Sequence, residues 1–342
     1  MNFSLAKALS CNGYGSMRGN IALMLFLLAL IIRLLNIATL DKFFTEDSTM
    51  YWRMAEHLFQ SFSAANPVSG EWSRSAERMP LYPLFVAAIQ SWISPDPLGV
   101  VILQAIIDAA TAVMIAMIAS ALGPSISLAA GLLAALWPNM VIHSALILTD
   151  TLFLFCFTAS LLAFVRFVNN PHAGAAAIIG ILLGLALATR AAIQFLPPVF
   201  LIAIIVATWR AGCSSRQTII CGVLFTIAIS APIAPTLYRN YERFDRLFLT
   251  DQGSIHLIYW VLPSIQMHAD GTTFDAAWKD TRKNFHKELQ KKGIDKSKTA
   301  PIELRRMRQA FALKSLAEQP LTSITIAWTQ GAVLNLAAPA IL

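Results

Sequence analysis

Long apolar runs separated by short polar breaks dominate the chain. They lie at 20–40, 98–121, 126–142, 150–168, 174–190, 193–209, 217–236 and 321–342. Each approaches the roughly 20 residues that carry a helix across the hydrocarbon of a bilayer. The pattern predicts an all-α polytopic integral membrane protein of about eight spans. One more apolar segment, 79–93 (MPLYPLFVAAIQSWI), is short, holds two prolines and is flanked by Arg78 and Asp96. Whether it crosses decides on which side every later loop falls.

If 79–93 does not cross, residues 41–97 form one outer loop. Arg166 and His172 then fall in one inner loop, and Arg210 and Arg216 in another. Short loops rich in arginine and lysine favour the cytoplasmic side. If 79–93 crosses, those arginines move outside, and Asp150 moves to the face opposite Asp47. The charge rule therefore places 79–93 along the outer interface. It divides the chain into a transmembrane core 1–236 with its first outer loop 41–97, an outer helical loop 237–320 and a last span 321–342. The lysine-rich 237–320 loop runs against the rule, but long loops translocate largely regardless of charge.

Within the first outer loop, Met50, Met54 and Leu58 recur every four residues beside Tyr51, Ala55 and Phe59. That spacing makes one apolar helical face and predicts an amphipathic helix lying flat on the bilayer. Further on, Thr272 or Thr273 is placed to cap a helix that Gly293 ends, and Pro301 suits the first turn of another that stops before Pro320.

Composition agrees with the pattern. The 342 residues are 56% hydrophobic and 13% charged, against roughly 25% charged in soluble domains. The net charge of +7 points, in a membrane protein, to anionic headgroups or phosphates, and no nucleic-acid motif is present. The four cysteines, Cys11, Cys156, Cys213 and Cys221, have no metal-ligand spacing, and no disulfide is expected of them. No HxxxH or HExxH pattern occurs, so no metal site is predicted. The run 21–35 lacks a following cleavage site and reads as an uncleaved first helix.

The candidate chemistry gathers at the outer ends of the spans. Asp47 precedes a helix, so it is either an N-cap or a general base at the membrane surface. Asp150 starts a span, where it is either a cap or a second acid that orients substrate or holds a cation. Arg78, Arg190 and Arg239 are either interfacial anchors or a clamp for a lipid phosphate, since guanidinium forks suit phosphate. Tyr51, Trp52 and Tyr82 are either interfacial aromatics or a sugar-facing wall. Gln104 and Asp108 share one face of an apolar helix, which suits helix packing or function equally. His143 reads as a local hydrogen-bonder, and Gly180 with Gly184 as a close helix approach.

In order, these elements resemble the GT-C superfamily of polyprenyl-phosphate-sugar-dependent glycosyltransferases, near the branch of protein mannosyltransferases and the lipid A aminoarabinose transferase. The similarity rests on RLLN at 33–36, on Asp47, Tyr51 and Ala55 in a D-x-x-x-Y-x-x-x-A pattern and on RMPLYP at 78–83. It continues through the Gln104 helix, TDTLF at 149–153, Thr189-Arg190, Arg239-Asn240 and Gln252-Gly253. The resemblance implies inverting transfer of one sugar from a polyprenyl phosphate to a lipid, glycan or protein acceptor. The reaction is expected at the periplasmic face of a bacterial inner membrane. Asp47 matches the catalytic acid, with Glu46 the neighbour that could exchange roles with it, and Asp150 matches a second acidic position. Arg190 and Arg239 fall near the expected lipid phosphate, and a divalent cation is left open. Relatives usually carry further helices, so the ending NLAAPAIL reads as a compact or truncated member. A lipid flippase or transporter and an inactive GT-C-like scaffold are the alternatives.

Overall fold

The computed structural model describes residues 19–40, 43–63, 78–295, 299 and 301–337; Cys11 and the end of the expected last span lie outside them. Every regular element among the described residues is helical. Helices α1 (Gly19–Thr39), α2 (Glu46–Ser63), α3 (Leu81–Trp92), α4 (Pro97–Ala119), α5 (Pro124–Leu136), α6 (Pro138–Ser144), α7 (Asp150–Asn169), α8 (Ala173–Thr189), α9 (Leu196–Arg210) and α10 (Ser215–Phe244) follow in order. Four helical stretches, beginning at Gly19, Pro97, Asp150 and Ser215, are long and apolar enough to cross a membrane, or five if the bent pair α5 and α6 is one span. Helices α3, α8 and α9 are apolar but shorter. This is fewer full-length spans than the apolar runs alone predict: α8 and α9 have 17 and 15 residues, and the end of the 321–342 run lies outside the described residues. The protein is an all-α polytopic membrane protein.

The described residues divide into two compact units: 19–63 with 79–239, and Arg78 with 240–337. In the first unit, α4 packs against α1, α5 and α7. Asp96 caps it by accepting from the Leu98 N–H at 2.8 Å, and Pro97 stands at its first turn. Its buried alanines, Ala105, Ala109, Ala112 and Ala116, lie at helical spacing and let the neighbouring helices come close. Gly180 and Gly184 serve α8 and α10 in the same way. A Cβ on Gly180 would lie 2.6 Å from the Phe225 carbonyl oxygen, and one on Gly184 2.7 Å from that of Ile229.

The bend between α5 and α6 exposes a need that α1 meets. Pro138 has no N–H for the Ala134 carbonyl, and the extended Trp137 (ψ 115°) breaks the ladder. Arg33 of α1, wholly buried, donates to the carbonyls of Ala135 at 2.6 Å, Ala134 at 3.2 Å and Ala29 at 3.1 Å. Its Nε donates to the Asp108 carboxylate of α4 at 2.7 Å. One guanidinium thus joins three helices and supplies donors that the proline withholds. Asp108 is a structural partner here, the helix-packing alternative of the sequence reading.

In the second unit, α11 (Gln252–His256), α12 (Leu262–Ala269), α13 (Phe274–Lys291), α14 (Pro301–Ala317) and α15 (Leu321–Ala337) surround a small core of Ile258, Phe285, Leu289 and Ala312. Thr273 caps α13 through the Ala276 N–H at 3.3 Å, and Gly293 follows it at φ 67°. Asp251 holds α14 to the turn before α11. It pairs with Arg308 and Arg305, and it accepts from the Ser254 hydroxyl at 2.5 Å.

Candidate functional site

The two acid-bearing segments of the first unit are fastened main chain to main chain. The Ile147 N–H donates to the Phe43 carbonyl at 3.1 Å. Four residues past Phe43 lies Asp47, and three past Ile147 lies Asp150, each in the first turn of a helix. Sequence alone could not bring them together, since nothing periodic links positions so far apart in the chain.

Thr45, not Asp47, caps α2. Its hydroxyl accepts from the Ser48 N–H at 3.3 Å and exchanges a hydrogen bond with the Ser48 hydroxyl at 2.9 Å. Asp47 therefore stands one turn position inside the helix, exposed beside exposed Glu46. Both carboxylates lie where the helix N-terminus favours negative charge. The threonine before the acids was the legible signal for this cap.

Helix α2 buries Tyr51 and Ala55 and packs on α3, leaving Met50 and Met54 half-buried. The buried pair Tyr51 and Ala55 belongs to the expected apolar face. The Tyr51 ring meets the Tyr82 ring edge-on at 5.2 Å. Tyr82 is completely buried and donates its hydroxyl to Gln104 Oε1 at 2.6 Å. Gln104 Nε2 in turn donates to the carbonyls of Leu146 at 2.7 Å and Ser144 at 3.1 Å. Gln104 thereby pins the irregular segment that carries Ile147. Of the three aromatics expected to face a sugar, Tyr51 and Tyr82 are buried, and Trp52, which meets Phe44 edge-on at 5.6 Å, is half-buried.

The same contacts fix how 79–93 runs. Helix α3 has 12 residues, about 18 Å at 1.5 Å per residue, well short of a roughly 30 Å hydrocarbon core. Tyr82 at its start bonds to Gln104, two turns into α4, so α3 doubles back along the beginning of α4.

Asp150 is not a side-chain cap either. No side chain caps α7 at Thr149, and the Asp150 carboxylate pairs with Arg190, the residue that ends α8. The two side chains are 36% and 41% exposed, so the pair opens to the surroundings. Arg190 also lies 5.9 Å from the centre of the Phe153 ring. A guanidinium carries five donors, so one bond to Asp150 leaves capacity for an anion. Arg239 ends the described part of the first unit, half-buried on α10, whereas Arg78 groups with the second unit. Arg190 is thus held by Asp150. His143 Nδ1 bonds to the Asn139 carbonyl oxygen within its own helix at 2.6 Å. Among the described residues, no three His, Cys, Asp or Glu side chains gather to hold a cation, and Cys156, Cys213 and Cys221 are free thiols.

Burial raises the ionisation of Tyr82 well above the ordinary tyrosine range, and Tyr51 and the negative charge of Asp150 push the same way. The unfolded chain loses this proton near pH 10 while the folded protein keeps it. Stability is therefore expected to be intact below about pH 10 and to fall as pH rises beyond it. Tyr82→Phe should flatten that fall, read as unfolding midpoints between pH 9 and 11. Equal slopes in the two proteins would contradict it.

The first unit is built of apolar helices, with the amphipathic α2 packed on the short α3. Residues 77–235 match the family model described as dolichyl-phosphate-mannose-protein mannosyltransferase. The matched stretch is similar to membrane glycosyltransferases of that type, and it contains Arg78, Tyr82, Gln104, Asp150 and Arg190, while Asp47 precedes it. No curated protein and no solved structure matches the chain.

Proposed function

We propose that this protein is a membrane glycosyltransferase that moves one sugar from a polyprenyl-phosphate donor to a lipid, glycan or protein acceptor, with inversion, at the periplasmic face of a bacterial inner membrane. The observation that carries the reading is the Phe43–Ile147 bond, which sets Asp47 and the Asp150–Arg190 pair at one end of the first unit. The family match over 77–235 supports it. The doubling back of α3 supports a short helix at the outer interface, with both acids on one side.

In the proposed reaction an acceptor oxygen or nitrogen attacks the anomeric carbon from the face opposite the phosphate. The new bond to carbon forms as the carbon–oxygen bond to phosphate breaks, and the phosphate leaves with the electron pair. Arg190 meets the growing charge, where a placed cation lowers the barrier most. Asp150 holds that guanidinium in place. Arg78 and Arg239 are the further candidates for the same phosphate. Asp47 takes the acceptor proton, with Glu46 the substitute, and Trp52 lies against the sugar.

A transporter would need polar groups that exchange partners at depth. Asp108, the carboxylate within α4, is instead tied to Arg33. Purified protein incubated with a labelled polyprenyl-phosphate sugar is expected to release polyprenyl phosphate over time. A donor that stays intact across a panel of sugars would overturn the proposal and favour a scaffold role.

A further inference from the structure

The end of the first unit away from the acids carries a different set of features. Helix α7 leads about 28 Å from Asp150 to Asn169 at 1.5 Å per residue. Beyond it, the Pro171 carbonyl accepts from Gln217 Nε2 at 2.8 Å, which ties the first turn of α10 to this far end. Between α9 and α10 runs a groove of about 550 Å³, lined by Leu201, Ile205, Ile219, Gly222, Val223 and Ile227. The two threonines on its wall turn their hydroxyls to their own helix, Thr218 to the Ser214 carbonyl at 3.3 Å and Thr226 to that of Gly222 at 2.9 Å. The groove is therefore apolar throughout. Gly222 faces this space: a Cβ there would meet only Leu201, at 3.5 Å.

Charge marks the same end. Arg210 closes α9, one and a half turns past Ile205, and Arg216 stands in the first turn of α10, two residues before Thr218. Both are exposed, and Trp209 beside Arg210 is 75% exposed, as interfacial tryptophans are. The sequence holds no Asp or Glu from 151 to 241, so no nearby carboxylate in the chain offsets them. A guanidinium in a first helical turn is also repelled by the helix dipole, and an anion placed there relieves both strains.

We infer that this end binds an anionic glycerophospholipid of the surrounding bilayer, one acyl chain in the α9–α10 groove and the phosphate at Arg210 and Arg216. An apolar trough that leads to two uncompensated arginines matches a lipid with a charged head, and a zwitterionic head would gain less. The inference stands apart from the sugar-transfer reading, because it concerns the opposite end of the bundle and is read without any sugar donor.

Native mass spectrometry of the full chain tests it, using phosphatidylglycerol and phosphatidylcholine with identical acyl chains. The wild type should retain the anionic lipid roughly thirtyfold more strongly, the size two surface arginines give. Arg210→Gln with Arg216→Gln should erase that preference while leaving the thermal midpoint unchanged. Gly222→Leu should lower retention of both lipids by filling the groove, and Ile219→Gln, at an exposed position, should do so in part. Equal retention of the two lipids by the wild type would overturn the inference. So would an undiminished preference in the double arginine variant.

Discussion

Asp47→Asn is expected to lower sugar transfer by roughly a hundredfold to ten-thousandfold, the range a positioned general base contributes, while the protein stays folded in membranes. Asparagine keeps the shape of the side chain and loses the basic oxygen. Because Thr45 caps α2, removing the Asp47 charge leaves the start of the helix intact. The decisive readout is transfer rate at saturating donor alongside the thermal midpoint. A large fall in rate with an unmoved midpoint supports the assignment. Retained activity moves the base to Glu46, and Glu46→Gln is the variant to make next.

The second large effect concerns stability. Arg33→Met leaves Asp108 buried without its cation and withdraws donors from the carbonyls of Ala134 and Ala135. Breaking a buried ion pair from one side costs about 3–5 kcal/mol, so the variant should unfold at markedly lower denaturant. Adding Asp108→Leu removes the stranded charge and should restore part of the loss. Recovery stays incomplete because each orphaned carbonyl still costs about 1–3 kcal/mol. Unfolding titrations of the two variants and the wild type distinguish these levels. A single Arg33 variant within about 0.5 kcal/mol of the wild type, the range of ordinary surface changes, would refute the role given to this residue.

How far the sequence carried the fold depends on the kind of signal each element leaves. Apolar length marked the membrane helices, and Thr273 and Gly293 marked the ends of α13, because hydropathy and capping are local properties. The break at Pro138 was written in the run 126–142 but was passed over, since hydropathy alone does not register a missing N–H. The lone Arg33 and lone Asp108 each stood out within an apolar run, yet their pairing across 75 positions has no local signature. Asp47 and Asp150 were legible as candidates from residue type and place. What they do not reveal by themselves is that Thr45 relieves Asp47 of capping, or that Asp150 meets Arg190. The burial of Tyr51 and Tyr82 was not legible for a related reason. Interfacial and core tyrosines share one composition, and only the Gln104 hydrogen bond tells that Tyr82 faces inward.

The triple junction at Arg33 also sets a timetable for biogenesis. During synthesis the first helix reaches the translocon with its cation roughly 75 codons ahead of the carboxylate that neutralises it. At about 5–20 residues per second that is a wait of roughly 4–15 seconds. Arg33 lies six residues from the end of its helix, within reach of the lipid headgroups, and its long stem allows it to stay there in the meantime.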